Sequence, residues 1–125
     1  MKVQFVLIIV AVTLMLNACA SRSTAPRPLP VGVIKEGSLA NQKLIVDVAT
    51  AATDRFKAKG HFIDPKGVPL NQYVVSMPTG TPGNRTWTER WVFLIEGKEM
   101  PVTIRFREDG LGAAHFTIEE DKTGK

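Results

Sequence analysis

Residues 86–118 read TWTERWVFLIEGKEMPVTIRFREDGLGAAHFTI and carry the clearest β-type pattern of the chain. Over 102–107, Val102, Ile104 and Phe106 alternate with Thr103, Arg105 and Arg107. Side chains of a strand point to opposite faces in turn, so this pattern describes a strand with one face on a core. Ala114, Phe116 and Ile118 repeat the pattern further on, with Asp109-Gly110 turning the chain between the two segments. Residues 86–96 form the strongest β-type run in the chain, and Gly97-Lys98 is a tight connection out of it. Connections this short join antiparallel neighbours.

Upstream the period changes. Leu44, Val48, Ala52 and Phe56 fall at i, i+4, i+8 and i+12, with Ile45 and Ala49 beside them. That is the apolar stripe of an amphipathic helix of about 20 residues. Ser38 is placed to cap its start, Lys57 and Lys59 favour its C-terminal end, and Gly60 stops it. Between helix and meander, 61–64 is a short strand at most, Pro65-Lys66-Gly67 a turn, and 73–77 a strand. Residues 78–84 form a loop broken by Pro78, Gly80, Pro82 and Gly83. Residues 29–34 either dock as an edge strand or stay loose. The expected fold is α+β, with one N-terminal helix packed on a four-stranded antiparallel β-meander over 37–121.

The chain has 125 residues and one cysteine, which excludes a multidomain enzyme, a disulfide scaffold and a cysteine-built zinc site. Fourteen of the first 18 residues are hydrophobic. Lys2 is followed by the apolar run 5–16, FVLIIVAVTLML. Its length, roughly 18 Å as a helix, is too short for a bilayer core of about 30 Å and suits a signal-peptide h-region. The run ends at Leu16-Asn17-Ala18-Cys19. Residues 19–30, CASRSTAPRPLP, then carry three prolines in five positions and favour an extended spacer of up to roughly 35 Å. The overall formal charge is +4, but residues 37–121 hold 10 Lys+Arg against 11 Asp+Glu. The positive surplus therefore lies outside the fold, in Lys2, Arg22, Arg27, Lys35, Lys122 and Lys125, with 122–125 a basic tail. A nearly neutral folded part argues against nucleic acid as a partner.

Leu16-Asn17-Ala18-Cys19 resembles the lipobox of bacterial lipoproteins: aliphatic, variable, small, Cys. The resemblance covers the first 20 residues only. It implies cleavage of 1–18, a diacylglyceryl thioether on Cys19 and frequent acylation, typically by palmitate, of the new amine. Two or more acyl chains anchor stably where one binds marginally. Within that class, Asp directly after the Cys marks inner-membrane retention in Gram-negative bacteria. Ala20 stands there, which favours the outer membrane and its periplasmic leaflet. Residues 19–36 are then a lipidated tether, with Arg22 and Arg27 near anionic headgroups.

Catalytic patterns are sparse. There is no G-x-S-x-G elbow, and a set of Ser76 with His61 or His115 and some Asp can be drawn in almost any protein. His61, Asp64 and His115 are the candidate metal ligands, and no complete ligand set emerges. The Gly-rich loop 80–83 lacks a following Lys and precedes a strand, so it is not a phosphate-binding P-loop. Neither a metal nor another cofactor is expected, and an enzyme is the less favoured class.

Residues 85–91, RTWTERW, hold both tryptophans on one strand face with Glu89 between them. Burying a carboxylate between two indoles is costly, so the start of this face is expected near solvent. Two interpretations follow. In one, Trp91, Phe93 and Ile95 pack on the helix and Trp87 caps the core edge. In the other, Arg85, Trp87, Glu89 and Arg90 form a partner-binding site beside an adaptable loop, since Trp and Arg dominate binding hot spots. A second candidate surface is the outer face of the meander, where Arg90, Arg105, Arg107 and His115 gather with Thr88, Thr103 and Thr117. It is either simply solvated or docks an anionic partner, a phosphate-bearing lipid or an acidic protein. The expected function is that of a membrane-anchored, periplasm-facing lipoprotein, a non-catalytic binding or assembly component of an envelope complex. The alternatives are a small-ligand or lipid carrier and a small periplasmic hydrolase.

Overall fold

The computed structural model describes residues 28–120. The signal segment 1–18, Cys19, most of the spacer and the tail 122–125 lie outside the described residues. Five strands and one helix follow in the order β1 (Lys35–Glu36), α1 (Gln42–Ala58), β2 (Leu70–Thr79), β3 (Thr86–Ile95), β4 (Lys98–Glu108) and β5 (Ala114–Glu120). The strands pair antiparallel in sequence order, and α1 lies across one face of the sheet. The α+β class holds, but the meander has five strands rather than four.

The extra strand is β1, two residues long, pairing Lys35 with Val74 and Glu36 with Tyr73. It carries no apolar alternation and is too short to signal itself in the sequence. It forms because β2 offers an unpaired edge: Val74 O accepts from Ile34 N at 2.8 Å, and Gln72 O from Gly37 N at 2.8 Å. A short, charged edge strand also discourages pairing with other chains. Residues 61–64, read as a short strand at most, form none.

The helix stripe is as the spacing requires. Leu44, Val48, Ala52 and Phe56 are its buried residues. Its start differs from expectation. Asn41, not Ser38, is the N-cap, and its Oδ1 accepts from Leu44 N at 2.8 Å. At the other end Gly60 takes φ 92°, His61 N donates to Phe56 O and Gly60 N to Lys57 O. This is the Schellman closure, which needs a left-handed residue where glycine carries no steric cost.

The core lies between the helix stripe and one sheet face. Phe56 meets Phe93 edge-on at 5.7 Å, and Trp87 stacks on Phe106 at 4.8 Å. Val102, Ile104 and Phe106 are buried as their alternation predicts, and so is Ile118. Burial of each large side chain contributes about 1.5–3 kcal/mol. Ile95 and Lys98 pair across a two-residue turn, Glu96-Gly97, with φ 53° and 77°. Two positive φ values define the type I′ turn, whose twist matches that of the strands. At the far edge, the Arg55 guanidinium donates to Ile118 O at 3.0 Å, so the helix occupies part of the exposed margin of β5.

Candidate functional site

The helix-facing side of β3 carries Trp87, Glu89, Trp91, Phe93 and Ile95, all buried. Glu89 sits in the middle of the sheet, opposite Val74 on β2 and Ile104 on β4, with no solvent exposure. This corrects the expectation of a solvent-facing start to the strand. Four donors surround the carboxylate. Trp87 Nε1 donates to Oε1 at 2.9 Å and Trp91 Nε1 to Oε2 at 2.7 Å. Ser38 Oγ donates to Oε2 at 2.7 Å and Leu39 N to Oε1 at 2.8 Å. A carboxylate offers about four lone-pair sites, and here each oxygen takes two donors. Burial is costly only for a charge left unsatisfied. The signal was present as Trp-x-Glu-x-Trp: residues two apart share a strand face, and an indole N–H reaches that far. What the pattern lacked was the loop before α1, which supplies the other two donors.

The four residues considered as a partner site therefore part company. Trp87 and Glu89 belong to the core. Arg85 is exposed, and its Nε donates to Glu108 Oε1 at 2.6 Å. Arg90 points to the other face of the sheet, where its Nη1 donates to Val31 O at 3.1 Å. The structure does not bring the four to one surface.

The neighbouring loop is tied down. Glu108 Oε2 accepts from Gly83 N at 2.8 Å, while its other oxygen holds Arg85. A Cβ on Gly83 would lie 3.6 Å from Gly110 Cα, so this loop and the β4–β5 loop touch backbone to backbone. Between these loops and the start of α1 lies a slot of about 260 Å³, lined in part by Leu44, Trp87 and Ala114. In the β4–β5 loop Asp109 accepts from Leu111 N at 2.7 Å and Ala113 N at 3.2 Å. The Leu111 amide above all holds the Asp109 carboxyl below the usual aspartate range.

The solvent side of the sheet has a different chemistry. Cross-strand register sets Thr86, Arg107 and His115 in one row, Thr88, Arg105 and Thr117 in the next, and Arg90, Thr103 and Glu119 in a third. The first two rows, with Thr103, line a shallow depression of about 510 Å³ that contains no carboxylate. Arg107 Nε donates to Asn84 Oδ1 at 3.0 Å, and Arg105 Nε lies 3.3 Å from Glu119 Oε1. Each guanidinium is thus oriented through its ε nitrogen. The second surface named from sequence is assembled here, with Arg90 at its β2 side.

The hydrolytic set is not assembled. Ser76 Oγ accepts from Thr88 N at 3.0 Å in the irregular part of β2. His115 lies three strands away, about 14 Å at ordinary strand spacing. His61 sits beside the β3–β4 turn with Nδ1 3.2 Å from Glu96 Oε2. The Glu96 carboxyl is held below the usual glutamate range, first by the Phe62 amide and then by His61. Asp64 accepts from Lys66 N within its own turn. Among the described residues no three His, Cys, Asp or Glu side chains gather as a metal site would require.

No protein-family model, no curated protein and no solved structure matches this chain.

Proposed function

We propose that this chain is a lipid-anchored, periplasm-facing lipoprotein that acts as a non-catalytic binding or assembly component of the bacterial envelope. The observation that carries the binding role is the open face of the sheet. One helix covers one face only, and the other presents Arg105, Arg107 and His115 in two adjacent rows among threonines. Arginine on a rigid strand is well suited to recognising carboxylates or phosphates, because its donors form a planar fork and the strand fixes its base. A carrier would need an enclosed cavity between helix and sheet, and Trp91, Phe93 and Phe106 occupy that space.

The anchoring role rests on Leu16-Asn17-Ala18-Cys19. Replacing Cys19 by Ser removes the only thiol of the chain. Cys19→Ser is expected to abolish incorporation of labelled palmitate and to release the protein from membranes. A variant that still labels and sediments with membranes would overturn the lipoprotein assignment.

A further inference from the structure

We propose that the open sheet face is a membrane-facing surface that docks onto the phosphate headgroups of the lipid layer holding the anchor. The inference rests on the lipoprotein assignment above and names what its binding face meets. Two independent observations carry it.

The first is where the chain leaves the fold. The described residues begin at Pro28, nine positions after Cys19. Before entering β1 the backbone passes beside Arg90, on the open face, where Arg90 Nη1 holds Val31 O. Val31 is 95% exposed there. Nine residues span at most about 30 Å even when fully extended. A lipid on Cys19 therefore keeps the domain within reach of the membrane. The exit beside Arg90 puts the open face, rather than the helix, nearest to the anchored end.

The second is charge. The depression takes Arg105, Arg107 and His115 from two strands, with the hydroxyls of Thr88, Thr103 and Thr117 between them, and no carboxylate lines it. Glu119 engages Arg105 at its margin. The η nitrogens of Arg105 and Arg107 make no hydrogen bond among the described residues. A phosphodiester offers matching acceptors, and an Arg–phosphate pair is frequently bidentate. On the helix side Lys43 pairs with Asp47 at 3.1 Å and Lys59 with Glu120. Basic side chains close to an anionic surface each strengthen attachment roughly fivefold, and two act together.

The test uses the full chain in envelope membranes, with a photo-crosslinking residue replacing either Thr117 on the open face or Thr50 on the exposed side of α1. Phospholipid adducts are expected from position 117 and few from position 50. Arg105→Glu with Arg107→Glu should reduce the adducts at 117 on the order of twentyfold, to the level at position 50. Far-UV circular dichroism of the double variant guards against unfolding. Equal lipid adducts from both positions, no effect of the charge reversal in a folded variant, or a protein adduct at 117 in place of lipid would each overturn the proposal. Palmitate labelling of Cys19, measured on the same samples, reports the anchor separately. Its loss would refute the lipoprotein assignment, whereas failure of the crosslinks alone refutes the docking.

Discussion

Trp87 and Trp91 each donate an indole N–H to a different oxygen of Glu89, at 2.9 and 2.7 Å. The carboxylate is shared with Ser38 and Leu39, so one buried charge joins the segment before the helix to the middle strand of the sheet. The two tryptophans are therefore core residues whose polar ends are satisfied, not surface anchors. Their rings add the contacts of Trp87 with Phe106 and of Trp91 with Phe93.

Glu89→Gln should test this centre directly. The amide nitrogen has no acceptor role, so two donors lose their partner at a side chain with no solvent exposure. The expected loss is on the order of 3 kcal/mol, read from the urea midpoint. Near-UV circular dichroism should change at the same time, because both indoles lose a fixed partner. An unchanged midpoint would show that the carboxylate is not buried as described.

The two candidate caps separate cleanly. Asn41→Ala removes the acceptor for Leu44 N and should destabilise the protein by about 1 kcal/mol, with fraying of the first helical turn in hydrogen exchange. Ser38→Ala should cost about 1–2 kcal/mol through Glu89 instead, leaving protection of the first turn in place. If Ser38→Ala frays the helix and Asn41→Ala does not, the cap is at Ser38 after all.

Phe56→Ala and Trp87→Ala should both lower stability by about 3–5 kcal/mol, since Phe56 is 5% and Trp87 8% exposed. For Trp87 this reverses the expectation attached to an exposed binding anchor. Any loss of binding in Trp87→Ala should follow the folded fraction measured in the same solution. A folded, stable Trp87→Ala would return the residue to the surface.

Two carboxylates, the exposed Glu96 and the half-buried Asp109, set part of the acid response. Glu96 and Asp109 both have lowered values, chiefly through the amides of Phe62 and Leu111. A folded-state value below the unfolded one contributes stability above the unfolded pKa, which lies near 4.5 for Glu and 3.8 for Asp. That contribution is lost as pH falls through the folded value. Stability should therefore decline on acidification below this range, and Glu96→Gln or Asp109→Asn should flatten the decline. Carboxyl titration by NMR checks the direction: a midpoint at or above the ordinary value for either group would contradict the hydrogen bonds described.

Periodic elements were legible before folding. The stripe Leu44, Val48, Ala52 and Phe56 specified a helix and its buried side, and the alternations at 102–107 and 114–118 specified two strands and their faces, because period alone sorts side chains between core and solvent. Tertiary structure decided the rest. Lys35–Glu36 became a strand only because the edge of β2 lay beside it. The helix starts at Gln42, so Asn41 caps it, while the Ser38 hydroxyl donates to Glu89, 51 positions away, and accepts from Ala40 N. Glu89 itself shows the physical reason. Whether a charge can be buried depends on donors brought from distant segments, and no local pattern counts them before the chain has folded.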